Sequence, residues 1–398
     1  MNRNNAHLNN VSAHDSFRDL KRHIEEQEFR GYDPYDALNS PFLDLLSFNS
    51  KYLRIAFIQA LKRLPFNLRP LLGIKKGYNP KALGLFLWGY AKLYTATGEP
   101  RCLEQIDRIL DLLAGLKSPG CSGNAWGYNF DWQSRAFFVP KYTPTVVNSS
   151  FIGHALLDAW EMTGTKRALD MALPIADFIL RDINRHKEDG AVCFSYTPLD
   201  RYFVHNANLL GASLLIRLFR QTGNERCRKV ALAALTYSMK YQRKDGSWYY
   251  AEKKGAQWID SFHTGFNLQA IRYFLAAGLA GEYRPAFERG VRFYCQNFFL
   301  QDGTPKYYHD RIYPIDIHSP AQAVVFFSGM GGAYQALTHG IMNWMLANMQ
   351  DQAGYFYFQK HRYYTNRIPY IRWGQAWAFH ALTEYLVNEK NGRAYKYN

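Results

Sequence analysis

The stretch HNANLLGASLLIRLFRQTG, residues 205–223, contains the pattern on which the fold depends. A polar pair opens it, an apolar helical run follows, and a Thr-Gly pair closes it. Glycine just past a helix end readily adopts the left-handed conformation that caps the helix. Aromatic and glycine residues precede the polar pair. The same order of features recurs along the chain, so the sequence predicts a structural repeat.

Polar pairs open the apolar helices at six places, which are Asn79-Pro80, Thr143-Pro144, His205-Asn206, His263-Thr264, His318-Ser319 and Arg372-Trp373. From His205 onward the steps between them are 58, 55 and 54 residues. A period of about 50–60 residues exceeds a helix-turn-helix unit of about 34 and suits a helical hairpin with a long loop. Six such hairpins predict an all-α (α/α)6 toroid, with short β-hairpin loops on one face and the polar helix starts converging on one cavity.

The ends and the cysteines of the chain bear on domain organisation and location. Residues 1–35 are polar and charged, and we expect a flexible segment there, followed by a single toroid domain over residues 36–398. No apolar secretory signal opens the chain, and no run of about 18 apolar residues could span a membrane. The five cysteines have no short paired spacing and indicate reduced thiols. These features favour a cytoplasmic protein.

Charge and aromatic content indicate the class of partner. The formal net charge is +15 and aromatic residues make up 16% of the chain. The charge favours an acidic partner, but no nucleic-acid-binding motif accompanies it, so no nucleic acid is expected. Aromatic rings stack on sugars, which favours an anionic oligo- or polysaccharide. The segment Tyr52–Leu64 reads as a basic amphipathic helix, which leaves peripheral membrane association open beside a solvated outer helix. The oligomeric state is left open.

Catalytic candidates lie at the junctions between loops and helices. Histidine titrates near neutral pH and serves as a base or an acid. Aspartates at these junctions are acids, bases or simple helix caps. The chain has no short His or Cys spacing typical of a zinc site, so neither a metal nor another cofactor is predicted. The catalytic candidates are His205, His263, His318, Asp131, Asp260, Asp316 and Tyr196.

Substrate-binding candidates surround these junctions. Arginine binds a carboxylate through two parallel hydrogen bonds, although Arg372 could equally form a salt bridge within the ring. Helix N-termini carry partial positive charge and attract anions. Aromatic residues would supply stacking faces. The binding candidates are Trp126, Tyr128, Trp132, Tyr142, Asn206, Trp258, Arg372 and Trp373.

Several strings between about residues 75 and 390 are distinctive, namely WGYNFDWQSR, TPTVVNSSFIGHALLDAW, SYTP, VHNANLLGASLL, WIDSFHTGFNL, PIDIHSPAQA and YIRWGQAWAFHAL. They resemble a bacterial family from exopolysaccharide and capsule loci, often labelled prenyltransferase- or squalene-cyclase-like. The resemblance implies an (α/α)6 fold and a role in producing or processing surface polysaccharide. The chain departs from true squalene-type cyclases because it has no D-x-D-D string, and from lanthionine cyclases because it lacks their zinc ligands.

The first functional hypothesis is lyase or C5-epimerase chemistry on a uronate-type glycan. Both reactions begin with removal of the proton α to a carboxylate, which needs a base and a positive group that neutralises the carboxylate. His263 or His205 would be the base, and Tyr196 or Tyr128 the acid. Arg372, Asn206 and the helix termini would hold the carboxylate.

Two further hypotheses stay open at the level of the sequence. A glycoside hydrolase of the same fold would use a pair of carboxylates, for which Asp131 and Asp260 are the first choice and Asp316 the substitute. A non-catalytic polysaccharide-binding scaffold would need the aromatic residues but neither the histidines nor the aspartates.

Overall fold

The computed structural model describes residues 12–135 and 137–391. The first eleven residues of the expected flexible segment and the last seven of the expected toroid domain therefore lie outside the described residues. Helices make up 59% of the structure and the strands are short, which confirms the predicted fold class. The first elements are α1 (Ala13–Glu26), a 3-10 turn (Asp36–Asn39), α2 (Pro41–Leu46) and α3 (Lys51–Arg63).

Inner and outer helices then alternate along the chain. The successive pairs are α4 (Pro80–Thr97) with α5 (Pro100–Gly115), α6 (Val146–Thr163) with α7 (Lys166–Ala172) and α8 (Ile175–Asp177), α9 (His205–Thr222) with α10 (Glu225–Lys240), α11 (Ser261–Ala276) with α12 (Arg284–Phe298), α13 (His318–Met330) with α14 (Gln335–Met349), and lastly α15 (Ala376–Asn391). Each inner helix contacts the next, and α15 contacts α4. The ring therefore closes on itself, as an (α/α)6 toroid requires.

The predicted helix ends hold where glycine caps them. Gly98, Gly164 and Gly223 follow inner helices with φ of 66°, 71° and 69°, the left-handed values expected of this cap. The apolar periodicity of the sequence predicts a helix from Ala321 to Leu337, and this predicted end of α13 is wrong. It ends at Met330, since Gly331 at φ 67° turns the chain into a 3-10 turn before α14 begins.

Helix α1 supplies the outer partner of α15. It packs on α15 and α14, and its Leu20 and Ile24 are fully buried together with Phe29 beyond its end. These residues of the segment expected to be flexible are thus folded, because two apolar side chains four apart form a stripe that the core covers. The boundary between residues 35 and 36 stays a prediction.

Short strands lie in the loops that lead into inner helices. The pairs are antiparallel and comprise β1 (Trp132–Gln133) with β2 (Phe138–Val139), β3 (Arg185–Glu188) with β4 (Ala191–Phe194), and β5 (Ile315–Asp316) with β6 (Gln359–Lys360) and β7 (Thr365–Asn366). Asp189 and Gly190 both have positive φ, as the predicted tight turn between β3 and β4 demands. Within residues 12–135 and 137–391, no helix is long and apolar enough to cross a membrane.

Candidate functional site

The first turns of the inner helices surround a cavity of about 690 Å³. Each of the six hairpins contributes to it at its helix start. The contributing residues are Lys81 of α4, Val147 of α6, Asn206 of α9, His263 of α11, His318 of α13 and Arg372 of the turn before α15. The cavity therefore lies on the toroid axis, where the partial positive charges of several helix N-termini meet.

Aromatic rings form most of the cavity wall. Trp258 stacks on Tyr250 with ring centroids 4.5 Å apart and planes inclined by 14°. Such flat faces suit the stacking of sugar rings. The aromatic residues of the wall are Tyr35, Tyr128, Phe130, Trp132, Phe137, Tyr196, Tyr202, Tyr250, Trp258, Phe262, Phe266, Tyr307, Tyr308 and Trp373. Four predicted binding residues are among these aromatic residues, namely Tyr128, Trp132, Trp258 and Trp373. The predicted binding residues Asn206 and Arg372 also line the cavity.

The charged groups of the lining are all basic. They are Lys81, Arg135, Lys253, Lys254 and Arg372, and no aspartate or glutamate is among the described residues that line the cavity. A concave surface with charge of one sign focuses the electrostatic potential and concentrates ligands of the opposite sign. The predicted anionic partner therefore stays a hypothesis that this lining favours.

Asp260 and His263 form a hydrogen-bonded pair at the start of α11. One carboxylate oxygen of Asp260, Oδ1, accepts the backbone N–H of His263 at 3.0 Å and so caps the helix. The other, Oδ2, lies 2.7 Å from Nδ1 of His263 and 3.0 Å from the indole nitrogen of Trp258. A carboxylate at Nδ1 keeps the proton on that nitrogen, which leaves Nε2 as an acceptor. His263 lines the cavity, and its Nε2 has no partner among the described residues.

His318 presents both ring nitrogens without a hydrogen-bond partner among the described residues, although it is only 1% exposed. Its ring stacks on Phe262 at 4.5 Å and meets the edge of Trp373 at 4.9 Å. Burial, reinforced by the charges of Lys81 and Arg372, lowers the pKa of His318 well below its usual value. The imidazole is therefore neutral and offers one donor and one acceptor to a ligand in the cavity.

Lys81 was missed by the sequence analysis. Its Nζ lies 3.9 Å from the ring centroid of Phe151, and the side chain is 3% exposed. No ion pair to it occurs in the described part of the chain. Burial, with a contribution from Arg372, lowers the pKa of Lys81 well below the ordinary value. The sequence did contain a signal for Lys81. A lysine in the first helical turn after Asn79-Pro80 is unfavourable beside the positive end of the helix dipole, which indicates a functional role for it.

Arg372 is held by a carboxylate from the N-terminal segment. Its Nε and Nη2 donate to the two oxygens of Asp33 at 2.6 and 2.7 Å, and its guanidinium lies 4.9 Å from the ring centroid of Tyr128. The salt-bridge alternative considered for Arg372 is thus realised, with a partner that the sequence did not single out. Because the residue still lines the cavity, its charge contributes there, but its bidentate face is occupied by Asp33.

Tyr128 and Tyr196 share a hydrogen bond between their hydroxyls at 2.9 Å. Burial raises the pKa of both phenols, so both stay protonated at neutral pH. A pair in which one hydroxyl donates to the other leaves one proton for a ligand. The two residues are therefore suited to act as an acid and not as a base.

Six predicted site residues lie outside the cavity lining, and three of them are not aspartates. His205 is engaged by Ser238 at Nδ1 (3.2 Å) and by Glu252 at Nε2 (3.0 Å). It opens α9, and one residue further, about 100° round the helix, Asn206 faces the cavity instead. Trp126 is fully buried and donates its indole N–H to the carbonyl of Leu113, so it belongs to the core.

The third is Tyr142, which is 39% exposed and donates its backbone N–H to Tyr128. It is not among the residues that line the cavity.

None of the three candidate aspartates lines the cavity either. Asp131 accepts the backbone N–H of Lys141 at 2.6 Å. Asp316 is fully buried and accepts the indole N–H of Trp373 at 2.7 Å, and burial raises its pKa to about 6. Asp260 lies behind His263. Each of the three aspartates therefore has a structural role as the acceptor of a hydrogen bond from a backbone, imidazole or indole N–H.

Comparison with known proteins shows the fold. No protein-family model and no curated protein matches the chain. A cellobiose 2-epimerase from Bacillus thermoamylovorans superposes with a TM-score of 0.61 at 14% identity, covering 78% of this chain and 88% of that one. An unsaturated glucuronyl hydrolase specific for heparin gives 0.61 at 14%, covering 95% and 96%. A family 76 α-mannanase from Bacteroides thetaiotaomicron gives 0.60 at 11%, covering 79% and 87%. The resemblance to the exopolysaccharide-locus family stays a prediction.

Proposed function

We propose that this chain is a carbohydrate-active enzyme that removes the proton next to the carboxylate of a uronate-type sugar in an anionic glycan. The outcome is either β-elimination, as in a lyase, or inversion at C5, as in an epimerase. The observation that carries the proposal is the Asp260–His263 pair at the wall of a basic, aromatic cavity, whose described lining residues include no carboxylate.

Basic groups of the cavity lining would bind the carboxylate of the sugar. Lys81 has no carboxylate paired with it in the described part of the chain, and burial lowers its pKa, whereas Arg372 already pairs with Asp33. A carboxylate beside Lys81 would complete this unpaired site and raise the fraction of the amine that is protonated. Since removal of the α-proton places negative charge on the carboxylate oxygens, the same contact strengthens in the transition state.

Proton transfer falls to His263. Its Nε2 takes the proton from C5, and the C–H electron pair moves into the bond between C5 and the carboxyl carbon. In the lyase reaction that pair then forms a C4=C5 double bond while the C4–O bond breaks, and the departing oxygen takes a proton from Tyr128 or Tyr196. In the epimerase reaction Tyr128 or Tyr196 donates a proton to C5 on the opposite face, and the phenol regains a proton when the imidazolium of His263 loses one. Asp260 stabilises the imidazolium that forms at His263.

Hydrolysis by an aspartate pair has less support from this geometry. Both routes of glycoside hydrolysis place two carboxyl groups on opposite sides of the scissile bond. The three candidate aspartates are engaged by backbone, indole or imidazole hydrogens outside the cavity lining. A binding scaffold would not need a base oriented by a buried carboxylate.

The likeness of fold and sequence supports a glycan substrate. Toroids of this shape include proteins named as a cellobiose 2-epimerase, an α-mannanase and an unsaturated glucuronyl hydrolase. The motif strings that resemble the exopolysaccharide-locus family support a role for the proposed reaction in producing or processing surface polysaccharide.

The test measures exchange, unsaturation and hydrolysis together. Purified protein is incubated in D2O with a panel of uronate polymers, and deuterium at C5, ultraviolet absorbance of unsaturated uronate and reducing ends are followed. Deuterium without unsaturation indicates epimerisation, and unsaturation indicates elimination. New reducing ends without either would identify a hydrolase and overturn the proposal, as would tight binding with no chemistry, which would identify a scaffold.

A further inference from the structure

An unusually apolar surface lies on residues 41–76, which we call the α2–α3 platform. Half of the large hydrophobic side chains that are exposed in the described residues occur there, eight of sixteen. They are Phe42, Leu45, Leu46, Phe48, Tyr52, Leu53, Phe66 and Leu71. Scattered exposed hydrophobics are ordinary, but a cluster of this kind marks an interaction surface.

Local structure holds these side chains outward. Helix α2 has no buried residue, although four of its six side chains are Phe or Leu. The turn after it has φ of 47° at Phe48 and 55° at Asn49, so the chain accepts an unfavourable backbone while Phe48 remains 77% exposed. The loop carrying Leu71 is fastened beside α2, because Ser40 donates its hydroxyl to the carbonyl of Leu72 at 2.7 Å.

Basic residues accompany the apolar ones. Residues 41–76 contain seven lysines and arginines and one acidic residue, Asp44. Two of the seven serve inside the protein, since Arg69 pairs with Asp36 and Lys62 donates to Tyr35. Exposed basic side chains that remain at the platform are Lys51, Arg63, Lys75 and Lys76.

We infer that the α2–α3 platform docks on an anionic membrane surface. Phenylalanine and leucine side chains that insert at the headgroup boundary, flanked by lysines and arginines that reach anionic lipids, are the chemistry of an interfacial anchor. A second copy fits less well. A two-fold interface would place the platform against itself and bring like charges together.

The platform adjoins the mouth of the candidate site. Lys62 of α3 donates to the hydroxyl of Tyr35, a wall residue, and Arg54 lies 4.3 Å from the ring centroid of Phe138 in β2. Docking would therefore hold the mouth of the cavity beside the membrane surface. The docking itself does not depend on the proposed chemistry.

Vesicle co-sedimentation tests the inference on the full-length chain. We expect binding to phosphatidylcholine vesicles containing phosphatidylglycerol, weaker binding to pure phosphatidylcholine, and loss with rising salt. L45S/F48S should weaken binding more than tenfold, and K51E/K75E should do so by about fivefold or more for each charge removed. Matched controls are Tyr363→Ser, an 86% exposed aromatic in the β6–β7 loop, and Lys229→Glu on α10.

The outcomes distinguish a membrane surface from a second copy of the chain as the partner of the platform. Circular dichroism and thermal midpoints of the variants confirm that each remains folded. Absence of wild-type binding to anionic vesicles overturns the inference, and so does binding that the control variants weaken as much as the platform variants. A dimer in light scattering that L45S/F48S converts to a monomer, with no vesicle binding, would assign the surface to a second copy instead.

Discussion

Oδ2 of Asp260 lies 2.7 Å from Nδ1 of His263, while Oδ1 of the same carboxylate caps the helix on which the histidine lies. One buried side chain thus fixes both the start of α11 and the orientation of the imidazole. The pair is local in sequence, but the cavity it faces is assembled from all six hairpins. Its chemical use therefore depends on ring closure.

His263→Gln should lower turnover about 10²–10⁴-fold, because loss of a general base typically costs that much, and should leave the thermal midpoint nearly unchanged. Asp260→Asn keeps an oxygen for the helix cap but loses the charge that favours the imidazolium. It should therefore lower turnover and leave the thermal midpoint nearly unchanged. His361→Gln, in the β6–β7 loop, is the matched control. A destabilised but fully active His263→Gln protein would remove this residue from the mechanism.

Lys81→Met should abolish binding of uronate glycans while raising the thermal midpoint. Burial lowers the pKa of Lys81, so the amine destabilises the fold at neutral pH relative to the unfolded chain, and methionine fills a similar volume without a titrating group. Calorimetric titration with a uronate oligosaccharide measures the first effect and thermal unfolding the second. Lys229→Met, on the exposed face of α10, should change neither. Unaltered affinity in the Lys81 variant would place the carboxylate elsewhere in the cavity.

Arg372→Met should destabilise the protein by about 3–5 kcal/mol, because it leaves Asp33 as an unpaired buried charge. Urea unfolding measures the difference. The comparison is Arg228→Met, which removes a surface pair with Glu225 and should cost less than about 1 kcal/mol. Equal effects of the two substitutions would show that Arg372 and Asp33 are more hydrated than their burial indicates.

His380→Phe should flatten the loss of stability on acidification. Burial, with the charge of Lys92, lowers the pKa of His380 to about 3, so the folded protein binds fewer protons than the unfolded chain between pH 6.5 and about 3. Stability from this group is full above pH 6.5 and is lost as the pH falls towards 3. Phenylalanine keeps the stacking on Trp88 and removes the titration.

Asp36 and Asp316 act with the opposite sign in part of this range. Burial raises the pKa of each carboxyl to about 6, so their contribution falls as the pH rises from about 4 to 6. Both proteins contain Asp36 and Asp316, so the contribution of these carboxyls cancels in the difference between the free energies of unfolding of His380→Phe and wild type, measured by urea unfolding at each pH. A difference that does not grow below pH 6.5 would contradict the prediction.

Local signals allowed the repeat to be predicted from sequence. Gly98, Gly164 and Gly223 mark helix ends because each needs positive φ, and that requirement is a property of the single residue. The wrong end predicted for α13 also comes from reliance on local signals. Gly331 lies within an apolar stretch whose helical periodicity continues past it, so the helix end at Met330 was not recognised. The role of α1 was not predicted because its partner, α15, lies at the other end of the chain.

The sequence by itself determined the (α/α)6 repeat and the helix caps, because each depends on residues close in the chain. It also named Asp260 and His263 as separate candidates, and the structure showed that they are hydrogen-bonded to each other. Only the tertiary structure decided which polar helix starts face the axis. His205 turns to Ser238 and Glu252, whereas Asn206 and His318 reach the cavity, because the side chain's direction depends on where each helix begins. The burial of Lys81 and the Asp33–Arg372 pair depend on closure of the ring, which brings together residues far apart in the chain.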